Sequence, residues 1–391
     1  MKKLSIFTIV VILSLFSSFN NCKTSLNRPL FQQYPKLKVV PHKILGNFPT
    51  PINQCKKMGK SLGNHKLYIK HDSLAGAQTK QGKTLFGGNK VRKLEFLLAD
   101  ALTQNAPSVI TCGGVGSNHA AATAAYAKHL GLQCYTILFE QPNSNTVLRN
   151  LSLMHGYNAH MILLPNSLRM QNEIDIITSK HKKNGQHPPY IIPMGGSTAL
   201  GSLGIVNAAL ELKQQIDQGK MPSPDIIYLP FGTMGTTAGL ALGLKTVGLK
   251  TKIIAVRVGA KPTYDKAQKH FKEINKLLQS YDPTFPTYTM DNVTVRHEFF
   301  GGAYGHFTPE SINAMKVLKD TEGITLDGTY SGKAMAALLS DAKQHKLDNK
   351  VVLFWNTYDG SKPDIKVAPA SLKSCFKKYF TQPAQGTTPS K

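Results

Sequence analysis

Residues 85–96 read LFGGNKVRKLEF, with two glycines and an asparagine in front of Lys90 and an amphipathic pattern directly behind it. Glycine pairs make poor helix interior, so the segment reads as a loop opening into a helix at about Lys90. An amine there is either a surface lysine after a turn or a nucleophile aimed at a bound carbonyl compound. In the second case the stripped backbone lets that compound approach.

FGTMGTTAG, residues 231–239, offers a partner chemistry. Gly232 and Gly235 permit close backbone approach, Thr233, Thr236 and Thr237 supply hydroxyls, and a helix begins at about Thr237 or Ala238. Free N–H groups at a helix start, with the dipole behind them, suit a phosphate. The segment has neither the GK[ST] of a nucleotide loop nor the GxGxxG of a dinucleotide fold. GSNH, residues 116–119, opens another helix, where Ser117 and Asn118 are good capping residues. Its functional reading gives the N–H groups a carboxylate and Asn118 a phenolic oxygen. Thr357, after VVLFW, and Ser331, in TYSGKA, add neutral hydroxyls. An amine for an aldehyde, a phosphate cup and partners for a ring oxygen and a ring nitrogen are the parts of a pyridoxal phosphate site. Taken singly, each has a structural alternative as an ordinary capped turn.

The elements that must hold these groups alternate. SVITC, QCYTILFE, AHMILLP, PYIIPMGG, DIIYLPFG and TKIIAVRVG read as strands, separated by helical segments such as NHAAATAAYAKHLG, NTVLRNLSLMHG and SLGIVNAALELKQQIDQG. Short apolar runs alternating with helices predict an α/β protein with open parallel twisted sheets covered on both faces. Ligands then bind beyond the carboxyl ends of strands, where the glycine-rich segments lie. No internal repeat is evident.

Composition bounds the alternatives. The 391 residues carry a formal net charge of +25, 41% hydrophobic and 18% charged residues. The lysines are scattered along helical faces without an arginine-rich run, which argues against nucleic-acid recognition. Five cysteines show no CxxC spacing and the thirteen histidines no HExxH, so neither a disulfide framework nor a metal site is expected. Residues 1–27 begin with Lys2-Lys3 and an apolar run from Leu4 to Phe16, the layout of a secretory signal or N-terminal anchor; the expectation is an exported protein, periplasmic or anchored to the membrane through the N-terminus only, and a cytoplasmic one if the segment is not a signal.

The blocks FPTPI (48–52), YIKHDSL (68–74), FGGNKVRKLEFLLADAL (86–102), GGVGSNH (113–119), GTMGTTAGLALGL (232–244) and EGITLDGTYSGKAM (322–335) stand in the order of one family. Over about residues 45–360 the chain resembles the D-cysteine desulfhydrase and 1-aminocyclopropane-1-carboxylate (ACC) deaminase family, of the tryptophan-synthase-β-like group of pyridoxal phosphate enzymes. The resemblance implies that Lys90 forms the Schiff base with the cofactor and transfers protons. It implies that Asn118 contacts the ring oxygen, that Ser117, Asn118 and His119 frame the substrate carboxylate, and that Gly235, Thr236 and Thr237 hold the phosphate. Tyr304 and Tyr330 match tyrosines beside the substrate; Thr357 is the first choice for the ring nitrogen and Ser331 the second. A homodimer acting on a small amino acid is implied.

Departures from the pattern fall near the presumed pocket. Ser331 stands where ACC deaminases carry an acidic residue, and a hydroxyl does not favour a protonated ring nitrogen as a carboxylate would. Gly116 replaces a glutamine, Gly328-Thr329 a Pro-Val, and Tyr358-Asp359 a Gly-Gly pair, while AGAQTKQGKT enlarges the loop before Phe86. The expected organisation is a large cofactor-binding domain over 28–92 and 196–380, a small α/β domain over 93–195, and a disordered tail over 381–391. The expected reaction is α,β-elimination from D-cysteine to pyruvate, ammonia and sulfide. ACC deamination, amino-acid racemisation and silent cofactor binding are the alternatives, and the basic charge adds a polyanion-binding surface protein.

Overall fold

The computed structural model describes residues 28–79, 82, 84–259, 262–361, 365 and 367–386. The expected signal or anchor, residues 1–27, lies outside them. Among the described residues no helix is long and apolar enough to cross a membrane.

Among the described residues ten strands form two sheets. Strands β1 (Ile52–Gln54), β2 (Leu67–His71), β10 (Val352–Asn356), β7 (Ile226–Phe231), β8 (Lys252–Arg257) and β9 (Val293–Arg296) line up in that order, all parallel except β1. The second sheet is all parallel, in the order β5 (His160–Leu164), β4 (Gln133–Phe139), β3 (Ser108–Gly114), β6 (Tyr190–Ile192). β3 and β10 are buried along their whole length, which explains their near-continuous apolar runs.

Among the described residues twelve α-helices accompany them: α1 (Pro29–Gln33), α2 (Lys56–Ser61), α3 (Lys90–Thr103), α4 (Asn118–His129), α5 (Asn145–Gly156), α6 (Met170–Lys183), α7 (Ala199–Asp217), α8 (Gly235–Thr246), α9 (Tyr264–Tyr281), α10 (Pro309–Glu322), α11 (Ser331–Lys343) and α12 (Ser374–Thr381). α7 is the spine. A Cβ on Gly204 would lie 1.9 Å from the Arg92 carbonyl oxygen of α3, and one on Gly243 of α8 only 2.6 Å from the Ala209 Cβ. These glycines let three backbones approach closely, fixing the helix that begins at Lys90 against the helix that begins at Gly235.

Two contacts of the C-terminal segment bear on the cleft. α12, placed by sequence with the larger domain, packs through Phe376 and Tyr379 into the core of the four-stranded sheet. Residues 381–386, expected in a disordered tail, form a strap. Gln385 donates its backbone N–H to the Asn143 carbonyl at 3.0 Å; its side chain donates to the Gly305 carbonyl at 3.1 Å and accepts from the Phe307 N–H at 3.0 Å. Polar backbone that would otherwise end unpaired is satisfied across both rims of the cleft.

Candidate active site

The carboxyl ends of β3 and β6 face those of β7 and β10 across a cavity of about 630 Å³. Lys90, Ser117, Asn118, His119, Thr236, Thr237, Tyr304, Tyr330 and Thr357 all line it, with Asp327 among them. Gly235 is the first residue of α8 and does not itself line the cavity, although its neighbours Met234 and Thr236 do. Ser331 is fully buried behind Asp327, donating its hydroxyl to Asp327 Oδ1 at 2.8 Å and accepting the Asp327 N–H at 2.9 Å. It is therefore not brought to the cavity surface with the others.

Lys90 is the first residue of α3. Burial pulls its amine down to about 8, against the opposing pull of the Asp327 carboxylate. Neutral lysine amines are nucleophiles and bases, so the amine suits an aldehyde partner. One turn on, Lys93 is wholly buried and donates to the Gly195 carbonyl at 3.1 Å and the Ser197 hydroxyl at 3.0 Å. Burial, then the neighbouring Lys90, hold it well below the usual lysine range.

α8 begins with no side-chain cap, behind Met234 at φ 67°. A Cβ on Gly235 would sit 2.6 Å from Ser197 Oγ and 2.8 Å from Lys93 Nζ, so that corner is shaped for a small group beside an amine. Asn89 donates to the Thr236 hydroxyl at 2.9 Å, tying the lysine loop to this turn. The Thr237 hydroxyl and both ring nitrogens of His119 are buried without a partner. Burial, then Lys90 and Lys93, keep His119 neutral, well below its usual range. Buried polar atoms left without protein partners mark where a ligand supplies them. An uncapped helix start, two buried amines and these orphaned groups fit an aldehyde that carries a phosphate.

On the opposite wall Ser117 accepts the Ala120 N–H at 3.2 Å, and Asn118 is clamped. Its amide donates to Asp327 Oδ2 at 3.1 Å and accepts from Asn150 at 2.9 Å. Asp327 also accepts the backbone N–H groups of Tyr330 (3.1 Å) and Ser331 (2.7 Å). Burial raises its carboxyl, opposed by those bonds. The Tyr304 and Tyr330 hydroxyls touch at 2.5 Å. Burial pushes Tyr304 up to about 12; burial, then Tyr304, push Tyr330 well above its usual value. Both stay protonated near neutrality.

Behind α3, Arg92 donates to Asp72 at 2.7 Å and Glu211 at 2.8 Å; Lys70 donates to Glu211 at 2.5 Å, and the Trp355 indole to Asp72 at 2.8 Å. Against the upward push of burial, Arg92 and Lys70 hold Glu211 at about 2. Two cations and two carboxylates balance, and the quartet locks α3 to β2, α7 and β10. Removing one member strands a buried charge, at a cost of about 3–5 kcal/mol.

Sequence reading missed Asp327, Lys93, Asn89 and the quartet. Lys93 carried a signal, since three residues on from Lys90 it shares the same helix face. Asp327, ahead of Gly328 in LDGTYSG, looks like any turn aspartate.

Two sheets, parallel except for the edge strand β1, facing one such cleft define an α/β enzyme built around a carbonyl cofactor. Residues 44–357 match the family model for pyridoxal-phosphate dependent enzymes, and the chain belongs to that family, with pyridoxal phosphate as its cofactor. It is 32% identical over 330 residues to a D-cysteine desulfhydrase of Serratia proteamaculans (strain 568), covering 83% of this chain and 94% of that protein. Identity is 34% over 332 residues to the D-cysteine desulfhydrase of Yersinia pestis (strain Pestoides F), with the same coverage. A crystal structure of an ACC deaminase homologue superposes with a TM-score of 0.73 at 30% identity, covering 86% of this chain and 96% of that one. These relatives agree with a lyase or deaminase using pyridoxal phosphate.

Proposed function

We propose that the protein is a D-cysteine desulfhydrase-like lyase that splits a β-substituted amino acid into pyruvate, ammonia and the departing group, sulfide from D-cysteine. The observation that carries this reading is the buried Lys90 amine, pulled down to about 8 at the start of α3, opposite the Asp327–Asn118 pair and the two tyrosine hydroxyls. When bound, the cofactor supplies an electron sink for the bonds at the substrate α-carbon. Lys90 would anchor its aldehyde, and the freed amine would then take the α-proton, a task matched by a pKa near working pH. Gly235, Thr236 and Thr237 would hold the phosphate, with the Lys93 amine as a donor beside it. Asn118, oriented by Asn150 and Asp327, would donate to the ring oxygen. The helix start at Ser117, Asn118 and His119 would take the substrate carboxylate. Thr357 would face the ring nitrogen. The Tyr304–Tyr330 pair, kept protonated by burial, would donate to the departing group.

ACC deamination is the second reading, favoured by the solved ACC deaminase homologue. The absence of an acidic side chain at Ser331, together with relatives named D-cysteine desulfhydrase, supports the lyase first. A homodimer with the large and small domains divided near residues 92 and 195 also belongs to the proposal. The test is pyruvate release from D-cysteine, L-cysteine and ACC side by side, with Lys90→Ala as control. Release from D-cysteine that the control abolishes supports the lyase; release chiefly from ACC replaces it with the deaminase.

A further inference from the structure

The loop after β10 carries a carboxylate in a telling place. Asp359 is almost wholly buried. Its Oδ2 pairs with the Arg149 guanidinium of α5, on the small-sheet side of the cleft. Its Oδ1 accepts the backbone N–H groups of Gly87 and Ser361, both at 2.8 Å. Gly87 lies three residues before Lys90. A Cβ there would fall 2.8 Å from Asp359 Oδ1 and 2.6 Å from the Ser73 carbonyl, so only glycine lets the carboxylate reach the backbone. The stitching continues at Asn89, whose N–H donates to the Thr357 carbonyl at 3.3 Å. Arg149 also donates to the Ser361 carbonyl at 3.1 Å and lies over the rings of Phe86 (5.2 Å) and Tyr358 (5.9 Å).

The members of this contact come from different bodies. Arg149 sits on the helix that covers the four-stranded sheet, Asp359 on the loop leaving the central strand of the six-stranded one, and Gly87 on the loop that presents the lysine. We propose that Arg149 and Asp359 are positioning residues that couple closure of the small sheet over the cleft to the aim of Lys90. A buried carboxylate needs its cation, so the pair favours the closed arrangement. With Arg149 in place, Asp359 is fixed and holds the Gly87 amide; with Arg149 withdrawn, the loop before Lys90 loses its anchor to the far wall.

The inference rests on the lyase reading for its kinetic arm and stands apart from it in the other. Arg149→Ala, Arg149→Lys and Asp359→Asn would be made in the full chain. Amide hydrogen exchange would be followed over residues 85–90, with residues 252–296 as reference, in cofactor-loaded and cofactor-free protein. Arg149→Ala is expected to speed exchange at 85–90 about tenfold while the reference segment is unmoved. It should also lower kcat for D-cysteine about tenfold with KM within about threefold. Lysine at 149 should restore most of both, and Asp359→Asn, which keeps an acceptor for Gly87, should fall between. Unchanged exchange at 85–90 overturns the proposal, as does faster exchange with kcat intact. Exchange rising evenly through the chain with a lowered Tm would make the pair merely structural. If the unmodified enzyme releases no pyruvate, the lyase reading fails and exchange alone decides the coupling.

Discussion

Two helices begin at the same cleft, each directly after a strand, and they begin differently. α4 satisfies itself: Ser117 caps the Ala120 N–H, and Asn118 is held between Asn150 and Asp327. α8 does not; Met234 stands in a left-handed turn, no side chain caps it, and the Thr237 hydroxyl is buried without a partner. A capped start gives up little affinity for a visitor, because its own side chain already occupies a donor. An uncapped start beside the Lys93 amine is incomplete until an anion arrives. The difference supports the proposed placement of the permanent phosphate at α8 and of the substrate carboxylate, which must come and go, at α4.

That contrast can be broken from the α8 side with the largest effect. Gly235→Ala places a methyl against Ser197 and Lys93 and should weaken cofactor binding about 100-fold, read by equilibrium titration of the stripped protein. Lys93→Met removes the buried amine but keeps the volume; a loss of about 30-fold is expected in the same titration. On the α4 side, Ser117→Ala should cost about 1 kcal/mol of stability and raise KM about tenfold while the cofactor stays bound, separating the two helix starts by steady-state kinetics. The pH dependence of loading sharpens the picture. Cofactor uptake requires the neutral Lys90 amine, so its rate should climb with pH and level off above about 8, well short of the 10.5 of an ordinary lysine. The Asp327 carboxylate favours the charged amine, so Asp327→Asn should move that midpoint to lower pH, followed by absorbance during reconstitution. The smallest effect belongs to Met234→Gly, which relieves the left-handed backbone and should gain about 0.5 kcal/mol in thermal unfolding without changing cofactor affinity.

Local chemistry was legible where it was written in consecutive residues. The GGNK loop, the helix starts after β3 and β7, and the alternation of strands with helices each depend on a few neighbours in sequence. What stayed hidden was assembled at long range. Arg92 and Glu211 lie 119 residues apart, and Arg149 and Asp359 210, so no window of sequence contains both members. Asp327 was hidden differently, because capping Tyr330 and Ser331 is an ordinary enough task to explain an aspartate before a glycine. Helix α9 was missed despite a clear amphipathic period, with Ala267, Phe271, Ile274 and Leu278 buried along one face. The contacts of Gln385 were not legible either, because the proline, glycine and threonine content around it says nothing about the carbonyls it reaches.

The place of β2 in the larger sheet bears on how the chain is made. β2 lies between β1 and β10, and Asp72 just beyond it receives the indole of Trp355 from 283 residues downstream. At about 5–20 residues per second, on the order of 15–60 s separate the synthesis of the two. The strands of the smaller sheet are contiguous and free to pair during that interval, whereas β2 waits with an open edge and Lys70, Asp72 and Arg92 wait for Glu211 and Trp355. The exposed moment of this protein therefore falls on the ribosome, and soluble yield should follow translation speed and chaperone supply more closely than the stability of the finished fold.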